Sequence, residues 1–195
     1  LGFTLAVQEK FPEAEKALRR AIEIDPHHSY ALPNLGHMLL VSGRASEAVP
    51  IYRKVCELGP EGGMGGVPAK NAFDLALALR ESGHPDEARK TVTEARTAFL
   101  RKLRGAEPDA QDTLLLAQLS AFLGDTDEAG AYLKRAEGAL DDDPYLLVNA
   151  AEVCAGLGQA PRAVDLLKKA LENGYQDPFF PVIMPDFLSI RKDPE

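Results

Sequence analysis

Two amphipathic helices joined by a tight turn, recurring at a spacing near 34 residues, constrain this chain more than any other feature of it. The clearest copy runs from His28 to Pro60, with its turn at Ser42–Gly43. Its first helix carries Leu32, Leu35, Leu39 and Leu40 with the small Gly36 among them. Its second carries Ala48, Ile51, Tyr52, Val55 and Leu58. Both sets follow the i, i+3, i+4, i+7 spacing that gathers side chains on one face of a helix. A hairpin of this kind has more apolar face than it can bury alone, so it needs neighbours of the same kind.

The neighbours are present. Moved back by 34 residues, the copy matches again: Gly36 falls on Gly2, Ala48 on Ala14, Tyr52 on Leu18 and Pro60 on Pro26. Moved forward, the turn glycine recurs at Gly83, Gly124 and Gly158, at intervals of 40, 41 and 34 residues. Small residues keep pace early in each second helix (Ala48, Ala88, Ala129, Ala163) and again later (Ala95, Ala136, Ala170). Glycine or alanine at a helix crossing lets the two axes approach, and glycine at the turn accepts the left-handed conformation that ends a helix. A two-helix period of this length is that of a solenoid.

On these residues the chain resembles the tetratricopeptide repeat (TPR) family. Leu32, Leu35, Gly36 and Leu39 stand at that family's W-x2-L-G-x2-Y positions, and Ala48, Tyr52, Val55 and Pro60 at its later small, aromatic, small and proline positions. No repeat has the family's tryptophan, and Val55 replaces its usual alanine. The resemblance implies an all-α fold, a right-handed superhelix of about five helix-turn-helix repeats at residues 1–26, 29–60, 69–104, 110–143 and 144–175. In the first repeat, Leu1 to Gln8 reads as the end of one helix and Phe11 to Ile24 as its partner. Residues 61–68 form a glycine-rich insertion. It reads as a connector, since no Gly-Lys-Ser/Thr follows it to cradle a phosphate. In the fourth repeat, Asp141–Asp142–Asp143–Pro144 lacks the alternating spacing of a calcium loop and reads as a solvated boundary that caps the next helix.

Residues 176–195 break phase. They hold Phe179, Phe180, Val182, Ile183, Met184, Phe187, Leu188 and Ile190 among four prolines. A solenoid's last repeat exposes an apolar face, and this segment is suited to cap it, with a short helix from about Pro185 to Arg191. The other reading is that it docks a partner. Met184 to Glu195 also resembles the end-of-array segment of bacterial multi-domain TPR proteins, which implies a bacterial origin and an effector domain on the N-terminal side.

Composition narrows the function. The net charge of −8 argues against nucleic acid, which needs basic surface to displace counterions. No apolar run approaches the ~18–20 residues of a membrane span; a cytoplasmic setting is expected. The chain opens inside a repeat, which implies that a longer protein precedes it. Cys56 and Cys154 stand at packing positions and read as reduced core thiols. The histidines His27, His28, His37 and His84 show no metal-ligand spacing and belong to no nucleophile–base constellation. No enzymatic activity, metal or cofactor is expected of this segment.

What the resemblance implies instead is a concave groove, lined by the first helix of each repeat, that takes a peptide or helix. Its groove positions fall on Tyr30, Pro33, His37 and Leu40; on Lys70, Phe73, Leu77 and Arg80; on Gln111, Leu114, Gln118 and Ala121; and on Tyr145, Val148, Glu152 and Ala155. The co-chaperone variant of the family, which clamps a terminal carboxylate, is rejected. Asn34 and Lys70 match its pattern, but Phe3 and Asp74 stand where an asparagine and an arginine are required, and an aspartate there repels the ligand. The favoured function is a non-enzymatic interaction module within a larger bacterial signalling or regulatory protein. The alternatives are a self-associating spacer, dimerising through Leu1, Leu5 and Phe11, and an accessory that positions substrate for a catalytic domain elsewhere.

Overall fold

The computed structural model describes residues 2–59, 67–104 and 106–175; the glycine-rich insertion up to Gly66, the expected cap at 176–195 and Leu1 lie outside them. The described residues form nine α-helices and no strand: α1 (Gly2–Ile24), α2 (Ala31–Val41), α3 (Ala45–Glu57), α4 (Pro68–Glu81), α5 (Pro85–Lys102), α6 (Ala110–Leu123), α7 (Thr126–Ala136), α8 (Pro144–Gly156) and α9 (Ala160–Glu172). A 3-10 turn, Glu137–Asp142, follows α7 directly. The result is an all-α helical repeat, as expected. The chain divides into two compact units at Thr91–Val92, inside α5.

One backbone device ends helix after helix. The N–H of a positive-φ glycine bonds to the carbonyl three residues back, and the next N–H reaches five residues back. This pair occurs at Gly43–Arg44, Gly83–His84, Gly124–Asp125, Gly158–Gln159 and Gly174–Tyr175. It satisfies two of the carbonyls that a helix end leaves open, in a conformation that costs any residue with a Cβ.

The first unit departs from the sequence-based expectation at its start. Residues 2–24 form one continuous helix, not two. The reason lies in the absent stop signal. The expected turn falls on Glu9-Lys10, both good helix formers, where the other repeats carry glycine. Pro12 sits inside this helix, where its ring removes one backbone donor without ending the run. In this unit α2 packs on α1 and α3, and α3 packs on α4. The α2–α3 crossing is tight: a Cβ added at Gly36 would lie 2.6–2.9 Å from the Tyr52 ring, and Tyr52 is fully buried. Arg44 also joins α1 to the start of α3, pairing with Glu15 at 2.8 Å and Glu47 at 2.7 Å. These exposed pairs contribute little stability each.

In the second unit α6 packs on α7, α8 on α9, and α6 on α8. Ala129 and Ala163, the small residues that open α7 and α9, are completely buried. Asp109 caps α6 through the Asp112 N–H at 2.8 Å. Asp143 caps α8 through the Tyr145 N–H at 2.8 Å, the capping role read from the acidic run. On the α5 side, Arg96 ties the α6–α7 turn together, donating to Asp125 at 2.6 Å and Glu128 at 2.8 Å.

Candidate partner-binding face

The groove positions fall on the first helices of their hairpins, and burial sorts them sharply. In the first unit, Pro33, His37 and Leu40 of α2 and Phe73 and Leu77 of α4 are buried; Lys70 is half-buried; Tyr30 and Arg80 are exposed. In the second, Leu114 and Gln118 of α6 and Val148, Glu152 and Ala155 of α8 are buried; Ala121 is half-buried; Gln111 and Tyr145 are exposed. The exposed members include two large aromatic residues at the N-terminal ends of α2 and α8, Tyr30 at 60% and Tyr145 at 58% exposure.

Two buried polar links join first helices of successive repeats, and the sequence reading missed both. In the first unit the His37 ring of α2 lies with Nε2 3.6 Å from Oδ2 of Asp74 on α4. Lys70, one helical turn before Asp74, donates to Oδ1 at 2.9 Å and sits 5.0 Å from the Phe73 ring centre. Burial alone would push the Asp74 carboxyl up, but the Lys70 ammonium and the His37 ring outweigh it and hold the group below the ordinary carboxylate range. The basic residue expected to face a ligand is thus engaged by its own helix. In the second unit Gln118 Nε2 of α6 donates to Glu152 Oε2 of α8. The signal available was periodic: residues 118 and 152 are 34 apart, one repeat, so two polar residues at one phase of successive first helices could have been paired.

Cys154 is a buried core thiol as expected, whereas Cys56 on α3 is only half-buried. Burial, followed by the nearby Asp74 and Glu57 carboxylates, pushes Cys56 up to about 11; burial likewise raises Cys154. At pH 7 the thiolate fraction of Cys56 is then about a hundredfold below that of an ordinary thiol. The folded chain is accordingly expected to react with a thiol-specific disulfide reagent at pH 7 at least tenfold more slowly than the chain in denaturant. Equal rates would show an accessible, activated cysteine. Among the described residues no cluster of His, Cys, Asp and Glu could hold a metal ion, and no helix is long and apolar enough to cross a membrane.

Comparison with known proteins agrees with the helical hairpins. A family model described as "Tetratricopeptide repeat" matches residues 4–62 and 73–144, and a second with the same description matches residues 144–169. Among solved structures, one titled "Crystal structure of MamA" is similar to this chain at 18% identity and a TM-score of 0.43, covering 87% of this chain and 92% of that one. A search of curated proteins finds no match.

Proposed function

Because the chain belongs to the tetratricopeptide repeat family, whose repeats mediate protein–protein interaction and are typically non-enzymatic scaffolds, we propose that it binds a peptide or helical segment on the groove face of its first helices. The larger setting proposed with it is a bacterial signalling or regulatory protein, supported by the likeness of residues 184–195 to the end of such arrays. The observation that carries the binding reading is the exposure of Tyr30 and Tyr145. Both stand at one phase of their repeats, beside the first turn of a first helix. Tyr145 meets the buried Tyr175 ring edge-on with centroids 5.1 Å apart, yet it and Tyr30 both keep more than half of their surface exposed. Tyrosine supplies a large rigid contact surface with a polar tip and is enriched where binding energy concentrates. Arg80, exposed near the end of α4 and 3.4 Å from Glu81, adds a cation that suits an acidic residue in the ligand.

The test is a peptide-display selection on the purified chain, followed by anisotropy titration of the selected peptides. Tyr30→Ala in the first unit and Tyr145→Ala in the second are made separately; the one on the unit that holds the peptide should raise the Kd by roughly thirtyfold, the scale of one interface hot spot, with an unchanged thermal midpoint. Unchanged affinity would place the contact elsewhere. A concentration-dependent dimer in light scattering, with no peptide selected, would favour the self-associating spacer. Reversing Lys70 together with Arg80 would not be a clean probe, since Lys70 is the partner of buried Asp74.

A further inference from the structure

In the first unit a buried carboxylate is held between two basic side chains from different helices. Lys70 Nζ lies 2.9 Å from Oδ1 of Asp74 on α4, and His37 Nε2, from α2, lies 3.6 Å from Oδ2. Each basic group has a further support besides the aspartate. The Lys70 ammonium stands 5.0 Å from the centre of the buried Phe73 ring, within cation–π range. The buried His37 ring is tilted at 51° against the Tyr52 ring, with centroids 5.9 Å apart, at the tight α2–α3 crossing. The two groups therefore converge as a preformed site for an anion. Without an anion the partly desolvated ammonium would be left unmatched, which is costly.

The aspartate fills that site imperfectly. It reaches Lys70 at hydrogen-bond distance but stops short of His37, since 3.6 Å is too long for a hydrogen bond. Neither nitrogen of the buried His37 ring has a hydrogen-bond partner among the described residues. The cause is the tether. Lys70 and Asp74 stand one turn apart on one helix, so the helix sets their contact, and the short aspartate side chain cannot also advance toward α2. A carboxylate free of the α4 backbone can meet both groups. Lys70, at a groove position, keeps 25% of its side chain exposed, which puts the site at the edge of the groove face.

We propose that Lys70 and His37 form a carboxylate-binding site that Asp74 occupies in cis, so that the first unit excludes a ligand carboxylate at this point and takes one only when Asp74 is removed. This inference rests on the geometry of the cluster and stands whether or not the peptide selection succeeds.

The test is chemical rescue in the full chain. Asp74→Ala vacates the space of one carboxylate and leaves both basic groups. Sodium formate is compared with sodium chloride of the same ionic strength. Formate should raise the urea midpoint of Asp74→Ala, read at α2 and α4 amides, by roughly 0.5–1 M at about ten times its Kd. The His37 ring signals should shift along the same saturating curve. The native chain should respond alike to the two salts, because its site is full. Asp74→Asn, which fills the space with a neutral group, should also respond alike to both. Asp74→Ala with Lys70→Met should lose the response to formate. Equal responses of Asp74→Ala to the two salts would leave Asp74 as a structural partner only and overturn the proposal. So would a formate-specific response of the native chain or of Asp74→Asn, or one that survives Lys70→Met, since each places the anion elsewhere. If Asp74→Ala is unfolded in buffer it should fold on addition of formate; a chain that folds in neither salt counts against the site.

Discussion

Tyr52→Ala is expected to destabilise the first unit by about 3–5 kcal/mol, the range for deleting a buried aromatic ring. The ring is fully buried between α2 and α3, lies against Gly36 with no room for a Cβ, and meets the His37 ring at 5.9 Å. Its loss removes both the transfer free energy of the ring and the contacts that hold the two axes together. The Gly36 side of the contact supplies an independent check. Gly36→Ala alone should cost about 1–3 kcal/mol through overpacking, less up to about 1 kcal/mol gained in helix propensity. In a Tyr52→Leu background the overlap is gone and only the propensity gain remains, so Gly36→Ala should there be neutral or stabilising. Chemical denaturation of the four chains gives the coupling, expected at about 1–3 kcal/mol. Additive costs would mean that Gly36 is not there for the tyrosine.

The Gly36–Tyr52 contact shows what was legible in the sequence. Both residues stand out by phase, since Gly36 holds the family's glycine position and Tyr52 its later aromatic position. The turn glycines were equally readable, because a positive φ leaves few alternatives to glycine. So was the Asp143 cap, where a short acidic side chain precedes Pro144. The continuous α1 was misread for the complementary reason. Phase alone assigned a turn to Glu9–Lys10, while local chemistry offered neither a glycine nor a break, and local chemistry prevailed.

The candidate face was legible in position and illegible in exposure. Its residues fall on the first helices, as the repeat phase requires, but whether Leu114 or Val148 meets solvent depends on what lies over them. Periodicity within a helix says which side chains share a face; it does not say how many faces are covered. The same limit hid the polar links. Asp74 was singled out as a residue that would repel a carboxylate, and Lys70 as a groove residue matching a carboxylate clamp, because each was read against an absent ligand. In the folded chain they answer each other one turn apart, and the helix supplies the pairing that a ligand was expected to supply.

Lys70→Glu should therefore act on stability before it acts on binding. Asp74 is almost wholly buried, with Lys70 Nζ 2.9 Å from one oxygen and His37 Nε2 3.6 Å from the other. Replacing the lysine puts a second negative charge beside a desolvated carboxylate, a change expected to cost about 3–5 kcal/mol at pH 7, as when a buried pair loses one partner. The pH dependence follows from the direction of the Asp74 shift. In the native chain that carboxyl is depressed, so its contribution is fully present above the unfolded value near 4 and is lost as pH falls through the lower folded value. In the variant the like charge raises it, which reverses the slope: the folded chain now binds the proton more tightly, and stability recovers as pH falls. The gap between the two proteins, measured by urea denaturation, should be widest at neutral pH and narrow below about pH 5. Lys70→Met should lie between them, losing the partner without adding the repulsion, and Lys70→Arg should keep most of the native stability. A gap that stays constant across this range would mean that Lys70 supports α4 through its ammonium over the Phe73 ring and not through its charge on Asp74.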